Sequence, residues 1–278
     1  MKKLGIFLAL LAINIGITFA YTPTSGETQQ LNTIKGVLNT VSSADLRRYY
    51  QQFSQLQTTV GNQDEKLEYR LTHLRDYSYS QFSSQKNFTK QQHKSEKENF
   101  LTQYQSGLLL EGDVYQNCLG RYNSLDNLSF ANDFPTALTI AVRYRESTCG
   151  YTLPRNGDGP FQIVSKEYGT GEINEKIFLQ TVQDFLEFSQ TKIDRYNDRN
   201  AAENLSIDLS YTGASYTDLL RFAALYNGLS GGTVYGEITP TAPKYFFEGY
   251  ENDIRTGEHK KDGIFAKYLK VLEWELKQ

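Results

Sequence analysis

The most constraining feature of this chain is a long stretch without helix-breaking residues. No proline lies between Pro23 and Pro135, and residues 62–106 contain neither proline nor glycine. Proline removes a backbone donor and clashes inside a helix, and glycine lowers helix stability by about 1 kcal/mol relative to alanine. This part of the chain is therefore predicted to form long α-helices.

A seven-residue hydrophobic repeat runs through the start of this region. Gly61, which falls within the repeat, is expected to bend or end a helix. The spacing places one apolar stripe along a helix, which can form a coiled-coil seam or pack in a helical hairpin. The members of the repeat are Leu46, Phe53, Val60, Leu67 and Leu74.

Residues 21–107 are accordingly interpreted as a helical spacer or assembly segment, through which the protein would self-associate or bind an envelope protein. The alternative is a solvated helical layer that packs on the rest of the protein. The face opposite the seam is rich in glutamine, serine, lysine and glutamate, which suits a solvent-exposed surface in either case.

Composition excludes several classes of protein. The 278 residues are 39% hydrophobic and 22% charged, which is typical of a globular protein and not of a disordered or multi-span membrane chain. The formal net charge of −3 argues against a nucleic-acid partner.

The N-terminus has the pattern of an export signal. Residues 1–3 (Met-Lys-Lys) are a cationic start, residues 4–19 carry no charge, and residues 18–20 (Thr-Phe-Ala) match a small-x-small cleavage site. We therefore expect a protein of the periplasm, cell envelope or extracellular space. A retained membrane anchor is the alternative, although the uncharged run is shorter than the roughly 20 residues that a spanning helix needs.

The chain has two cysteines, Cys118 and Cys149. In an exported protein an even pair of cysteines is more often bridged than free. A disulfide is therefore expected, with two buried thiols as the alternative.

From residue 108 onward, glycine, aromatic residues and all but one of the prolines accumulate, which predicts a compact domain over residues 108–278. Its expected fold is mainly α-helical with one small β-hairpin. Asp133 is a candidate N-cap for a helix that extends to Glu146. Turn signals at 156–159 (Asn-Gly-Asp-Gly) precede a strand-like run at 161–164, and further helices are predicted over 174–195, 215–228 and 263–276.

Two familiar catalytic arrangements are poorly supported. His73, His93 and His259 are far apart and lack metal-ligand spacing, so no metal and no other cofactor is expected. Residues 228–232 match the Gly-x-Ser-x-Gly motif of α/β-hydrolases around Ser230. A helix and not a strand is predicted before this serine, and too few residues follow it to carry the rest of a triad, which argues against that class.

Glu146 is the strongest candidate for an acid–base residue. It lies at the predicted C-terminal end of a helix, where the helix dipole disfavours a negative charge. Burial there would raise its pKa further, which is the condition that a general acid needs. Arg143 and Arg145 would oppose this shift if they pointed at the carboxyl group.

Three short motifs together resemble the lytic transglycosylase and goose-type lysozyme superfamily. They are Glu-Ser at 146–147, Gly-Pro-Phe-Gln-Ile at 159–163 and Ala-Leu-Tyr-Asn-Gly at 224–228. The family has a Glu-Ser at a helix end, a Gly-x-x-Gln-Ile/Val segment and an Ala-x-Tyr-Asn-x-Gly segment in this order. Here Pro-Phe replaces the usual Leu-Met of the second motif, and the tail after the third motif is unusual. The resemblance covers roughly residues 130–275 and leaves residues 21–110 unexplained.

The resemblance implies a lysozyme-like domain that cleaves the β-1,4 bond between N-acetylmuramic acid and N-acetylglucosamine in peptidoglycan strands. Glu146 is then the catalytic acid, and Ser147 supports it. Gln162, on the strand after the hairpin, would line the cleft and contact a sugar. Tyr226 and Asn227 would bind or orient the sugar at the scissile bond.

Three functional readings remain open at this point. A lytic transglycosylase needs one carboxyl group, because the muramyl 6-hydroxyl of the substrate can attack and close an anhydro ring. A lysozyme-type hydrolase needs a second carboxylate or a positioned water, and Asp158 is the best candidate for that carboxylate. A non-catalytic glycan-binding envelope protein would suit the heptad region and the 20 tyrosines. The single-glutamate transglycosylase is the preferred prediction.

Overall fold

The structure of the protein is a computed structural model, and most of it is α-helical. The structure describes residues 21–61, 64–104, 112–150, 158–163, 168, 175–226 and 263–278. Within these residues there are ten α-helices and no β-strand, so the prediction of a mainly α-helical fold is confirmed. The helices are α1 (Ser25–Leu38), α2 (Ser43–Val60), α3 (Glu65–Gln92), α4 (Lys94–Tyr104), α5 (Gly112–Leu119), α6 (Tyr122–Ala131), α7 (Thr136–Ser147), α8 (Glu175–Asn200), α9 (Tyr216–Tyr226) and α10 (Ile264–Glu275).

The chain divides into two compact units, with the division between Gln92 and His93. The change in composition along the sequence predicted a boundary after residue 107 instead. Helix α4 accounts for the difference, because Phe100 and Tyr104 pack against the hydrophobic core of the second unit.

In the first unit, α2 and α3 form an antiparallel hairpin. Ser43 donates a hydrogen bond of 2.9 Å to Gln85, and Gln57 donates one of 2.8 Å to Thr72. Gly61 ends α2 with a positive φ of 53°. The apolar side of the repeat therefore packs within the hairpin of α2 and α3, which is the second of the two arrangements that the sequence predicted. Its fully buried members are Leu46, Phe53 and Leu74.

Helix α1 runs beside α3 in the same direction. Glu27, in the first turn of α1, forms ion pairs with Lys66 and Arg70 of α3. Just after the other end of α1, Asn39 accepts a hydrogen bond of 2.9 Å from Tyr77 of α3. Polar contacts therefore fix both ends of α1 to α3.

Helix α7 is the centre of the second unit. Every residue from Thr136 to Arg143 is buried, and so is Ser147. A helix that is buried on all sides needs neighbours on all sides, and α5, α6 and α10 pack against α7. The last turn of α7, which carries Glu146, is where this helix reaches solvent.

A disulfide joins Cys118 of α5 to Cys149, with the two Cα atoms 5.1 Å apart. The predicted bridge is confirmed. Thr148 and Cys149 have φ values of 53° and 60°, in the left-handed region that non-glycine residues rarely adopt. The bridge therefore constrains the turn that directly follows Glu146 and Ser147.

The prediction that Asp133 caps α7 is wrong. Asp133 has φ 49° and ends α6, where its N–H bonds to Phe130 O at 3.2 Å and the N–H of Phe134 bonds to Ser129 O at 2.9 Å. This pair of bonds is a Schellman motif, and aspartate tolerates the left-handed conformation that the motif requires. Pro135 occupies the N-cap position of α7 instead.

The strand predicted at 161–164 is a turn over the residues that are described. The N–H of Gln162 bonds to Gly159 O and the N–H of Ile163 bonds to Asp158 O, both at 3.1 Å. The hydrophobic neighbours of Gln162 are buried while Gln162 is exposed, so turns here produce the alternation in burial that is typical of a strand. The rest of the predicted hairpin lies outside the described residues.

In the described part of the chain, no helix combines the length and the apolar character needed to cross a membrane. The predicted leader, residues 1–20, lies outside that part.

Replacing both cysteines with serine should lower the free energy of unfolding by about 3 to 4 kcal/mol, because a bridge between residues of this separation restricts the unfolded chain. Denaturant unfolding of oxidised protein, reduced protein and the double variant Cys118→Ser/Cys149→Ser measures this loss. Reduced protein and double variant should share one midpoint, below that of oxidised protein. Three equal midpoints would contradict a stabilising bridge.

Shortening the chain to residues 93–278 should leave a stable second unit, whereas a chain that begins at residue 108 should be less stable by about 2 to 5 kcal/mol. The shorter form loses Tyr104, which stacks on Tyr216 at 4.4 Å and meets Phe265 at 6.2 Å. Thermal melting of the two forms measures the difference, and equal melting temperatures would show that α4 is dispensable.

Candidate active site

Glu146 lies in the last turn of α7, with its side chain half-buried. Burial raises the pKa of the Glu146 carboxyl, while the positive charges of Arg145 and Lys192 act to lower it, and the net shift is upward. A raised pKa increases the protonated fraction near neutral pH, which is what a general acid requires.

The turn formed by residues 158–163 lies directly against this end of α7. The side-chain amide of Gln162 donates a hydrogen bond to the backbone carbonyl of Glu146. The hydroxyl of Ser147 donates one of 2.7 Å to the carbonyl of Pro160. Two of the three sequence motifs are therefore in contact. In each of these hydrogen bonds a side chain of one motif donates to a backbone carbonyl of the other.

Ser147 is fully buried, and its hydroxyl takes part in several hydrogen bonds. It accepts the N–H of Gly150 at 2.9 Å and lies 3.2 Å from the carbonyl of Arg143, in addition to its bond to Pro160. These partners are all backbone groups. Ser147 therefore orients the end of α7 and the turn after it, and its contacts are not with the Glu146 carboxylate.

Tyr226, the last residue of α9, contacts the same turn. Its hydroxyl donates a hydrogen bond of 2.5 Å to the carbonyl of Phe161. Burial raises the pKa of Tyr226 well above its ordinary value, and the charge of Glu146 raises it further, so the hydroxyl stays protonated. The third motif thus meets the second. Asn227, the other predicted sugar ligand of this motif, lies outside the described residues.

Aromatic side chains of α8 and α9 pack around Phe161 of this turn and its neighbour Phe185. Phe161 is buried and stacks on Phe185 of α8, with ring centroids 4.4 Å apart. Phe185 also packs against Tyr226, at 5.7 Å. Phe161 is therefore a core side chain that packs the turn against α8.

Asp158, the candidate second carboxylate, is buried, with 6% of its surface exposed. Its backbone carbonyl accepts the N–H of Ile163 and so helps to close the turn. A carboxylate that activates a water must face the substrate. The burial of Asp158 favours a structural role within the turn.

Tyr168 packs against the 158–163 turn, which was not predicted from the sequence. Gly159 has φ +73°, and a Cβ atom added there would come within 2.3 Å of the Tyr168 ring. The Tyr168 hydroxyl donates a hydrogen bond of 2.8 Å to Asp184 of α8, which ties this contact to the core. No local pattern links these residues, because their contact exists only in the folded chain.

Lys192 of α8 also lies at this site and was not predicted from the sequence. Its Nζ donates to the carbonyls of Leu225 and Tyr226, at 3.3 and 3.5 Å, and lies 5.4 Å from the centroid of the Tyr226 ring. A sequence signal does exist, because Lys192 lies two helical turns after Phe185 and one turn after Phe188. It is a lysine on the apolar face of an amphipathic helix.

The described residues contain no group of three or more His, Cys, Asp or Glu side chains that could hold a metal ion. Comparison with protein-family models, curated proteins and solved structures finds no match for this chain. Its function is therefore inferred from the geometry of the site and from the three motifs.

Replacing Ser147 with alanine should destabilise the protein by about 1 to 3 kcal/mol, because the buried backbone groups that it pairs would lose a partner. Thr191→Ala is the control, since Thr191 is exposed and its hydroxyl bonds to the Glu187 carbonyl of the same helix. Denaturant unfolding measures both changes. A loss for Ser147→Ala no larger than that of the control would contradict the bridging role.

Proposed function

We propose that this protein is an exported peptidoglycan lytic transglycosylase, with a lysozyme-like second unit and Glu146 as its single catalytic carboxyl group. The observation that carries the proposal is the convergence of the three motifs. Gln162 bonds to the backbone of Glu146, and Tyr226 bonds to the residue before Gln162. Hydrogen bonds thus link segments of the chain that are some 80 positions apart to the end of α7, which carries the half-buried Glu146 carboxyl group.

Glu146 first acts as an acid. It transfers its proton to the glycosidic oxygen while the bond from that oxygen to the muramyl C1 breaks, and the N-acetyl group of the substrate can assist the developing oxocarbenium centre. The resulting carboxylate then removes the proton of the muramyl 6-hydroxyl as O6 bonds to C1. The products are a free 4-hydroxyl and an anhydro ring, and Glu146 is again protonated.

The burial of Asp158 favours this route over hydrolysis. A hydrolase would need a water on the opposite face of the sugar, activated by a second carboxylate or held by other groups. Asp158 is nearly fully buried, so it is poorly suited to receive a proton from such a water.

Export and the role of the first unit belong to the same proposal. The leader pattern at residues 1–20 would direct the chain to the compartment that contains peptidoglycan. None of the three motifs lies in the helical first unit, and we assign this unit to self-association or to contact with an envelope partner. The chemistry is assigned to the second unit alone.

Glu146→Gln should lower the rate of wall cleavage by at least about 100-fold, because it removes the transferable proton and keeps nearly the same volume. Glu187→Gln is the matched control, since Glu187 is an exposed glutamate of α8. Clearing of purified sacculi measures the rate, and thermal melting verifies that both variants fold. Activity of Glu146→Gln within tenfold of the unaltered protein would refute the assignment.

The products distinguish the three functional readings. Mass spectrometry of the released fragments should show anhydromuramyl ends. Reducing muramyl ends would instead identify a hydrolase. Binding to sacculi without release of fragments would identify a glycan-binding protein.

A further inference from the structure

Arg143 of α7 carries a buried guanidinium group whose hydrogen-bonding capacity is largely unused. Only 8% of the surface of this residue is exposed. Its Nε and Nη1 atoms are buried, and neither has a hydrogen-bond partner in the part of the chain that the structure describes. Buried charges in proteins are ordinarily paired, because an unpaired charge loses its hydration without compensation. The reaction proposed above gives this guanidinium no role.

A second arginine lies over the same aromatic ring as Arg143. The guanidinium carbons of Arg143 and Arg121 are 4.8 and 4.7 Å from the ring centroid of Phe178. Phe178 is in the first turn of α8, and the N-terminal end of a helix carries partial positive charge, because its first N–H groups have no partner within the helix. Two cations and one helix N-terminus therefore lie around one ring.

The charges of this cluster do not balance. Arg121 forms an ion pair with Glu175, whose carboxylate also accepts a hydrogen bond of 3.0 Å from Ser124. Among the described residues, no carboxylate is hydrogen-bonded to Nε or Nη1 of Arg143. Burial and the charge of Arg121 lower the pKa of Arg143 to about 10, so it is still protonated at neutral pH. One positive charge is therefore left without a counterion.

The cluster extends from the core to the surface of the second unit. The side chains of Arg121 and Glu175 are 35% and 54% exposed, while Arg143 and Phe178 are buried. Gly150 lies beside the guanidinium of Arg143, and a Cβ atom added there would be 3.5 Å from Nη2. Any other residue at position 150 would thus place side-chain atoms against this nitrogen, and glycine does not.

We propose that Arg143 binds a carboxylate ligand, which enters beside Arg121 and pairs with the buried guanidinium. A planar carboxylate matches the planar guanidinium, which presents five N–H donors in a fixed fork. Its single negative charge balances the one cation that lacks a counterion. A phosphate, with a charge of about −1.5 to −2, would leave excess negative charge buried. The carboxylate can belong to a free small acid or to the peptide stem of peptidoglycan.

The test measures carboxylate binding to the full chain and involves no wall cleavage, so its result is independent of the proposed reaction. Sodium acetate is the first probe, with sodium chloride at the same ionic strength as its control. At about ten times its Kd, acetate should raise Tm by about 3 to 6 °C, because only the folded protein binds it. The second probe is the dipeptide L-alanyl-D-glutamate, a fragment of the peptide stem. Tighter binding of the dipeptide would identify the wall as the source of the carboxylate, and equal or weaker binding would identify a free acid.

Four variants locate the binding. Arg143→Met removes the charge and should abolish the acetate-dependent rise in Tm. Arg143→Lys keeps the charge but loses the planar fork, and should weaken binding by about tenfold. Arg121→Met should weaken binding by about threefold to tenfold, since Glu175 then faces the ligand without its own cation. Arg195→Met is the matched control, because Arg195 is an exposed arginine of α8, and it should keep the full rise.

Equal effects of acetate and chloride would overturn the proposal, because they would show a general effect of salt. A full acetate response in Arg143→Met would overturn it as well. A direct readout on the folded protein is the ¹⁵N-detected Nε–H signal of Arg143, identified by its loss in Arg143→Lys. This signal should shift on addition of acetate and saturate with the Kd found by melting. If the Nε–H signal stays in place at saturating acetate, Arg143 is not the ligand-binding residue and the proposal fails.

Discussion

The burial of α7 is the constraint on which the second unit depends. From Thr136 to Arg143 this helix has no exposed face, so the packing of its neighbours determines where its last turn reaches solvent. Close packing of this kind tolerates little displacement. A carboxyl group placed one turn beyond such a segment has a defined position, although its own side chain is only half-buried.

Hydrogen bonds from side chains to backbone carbonyls connect the other parts of the site to this helix end. Ser147, Gln162 and Tyr226 each use a side-chain group to bond to a carbonyl of another part of the chain. Side chains that recognise backbone carbonyls can hold a turn in place whatever side chains the turn carries. The disulfide adds a second constraint, because Cys149 follows Ser147 by only two positions.

Electrostatics at Glu146 is a balance between two opposing effects. Burial raises the pKa of the carboxyl group, and Lys192 with Arg145 lowers it. A residue that acts first as an acid and then as a base needs both forms within reach, because each extreme would block one of the two proton transfers. The half-buried position of Glu146 and its neighbouring cations are consistent with this requirement.

Local sequence alone determined the helical character of the chain, the helical hairpin alternative for the heptad region, and the pairing of Cys118 with Cys149. These features follow from backbone propensity, from the period of the hydrophobic pattern and from cysteine count, all of which can be evaluated without a fold. The order of the three motifs was also visible, and with it most of the candidate site residues.

Tertiary structure decided what depends on partners distant in the chain. Helix α4 joins the second unit because Tyr104 finds Tyr216 and Phe265, and Asp133 is left-handed because a Schellman motif needs that conformation. A turn replaces the predicted strand, since alternating burial does not distinguish the two. Lys192 meets Tyr226 only when α8 and α9 pack together. Contacts of this kind depend on the packing of whole helices, which no local pattern contains.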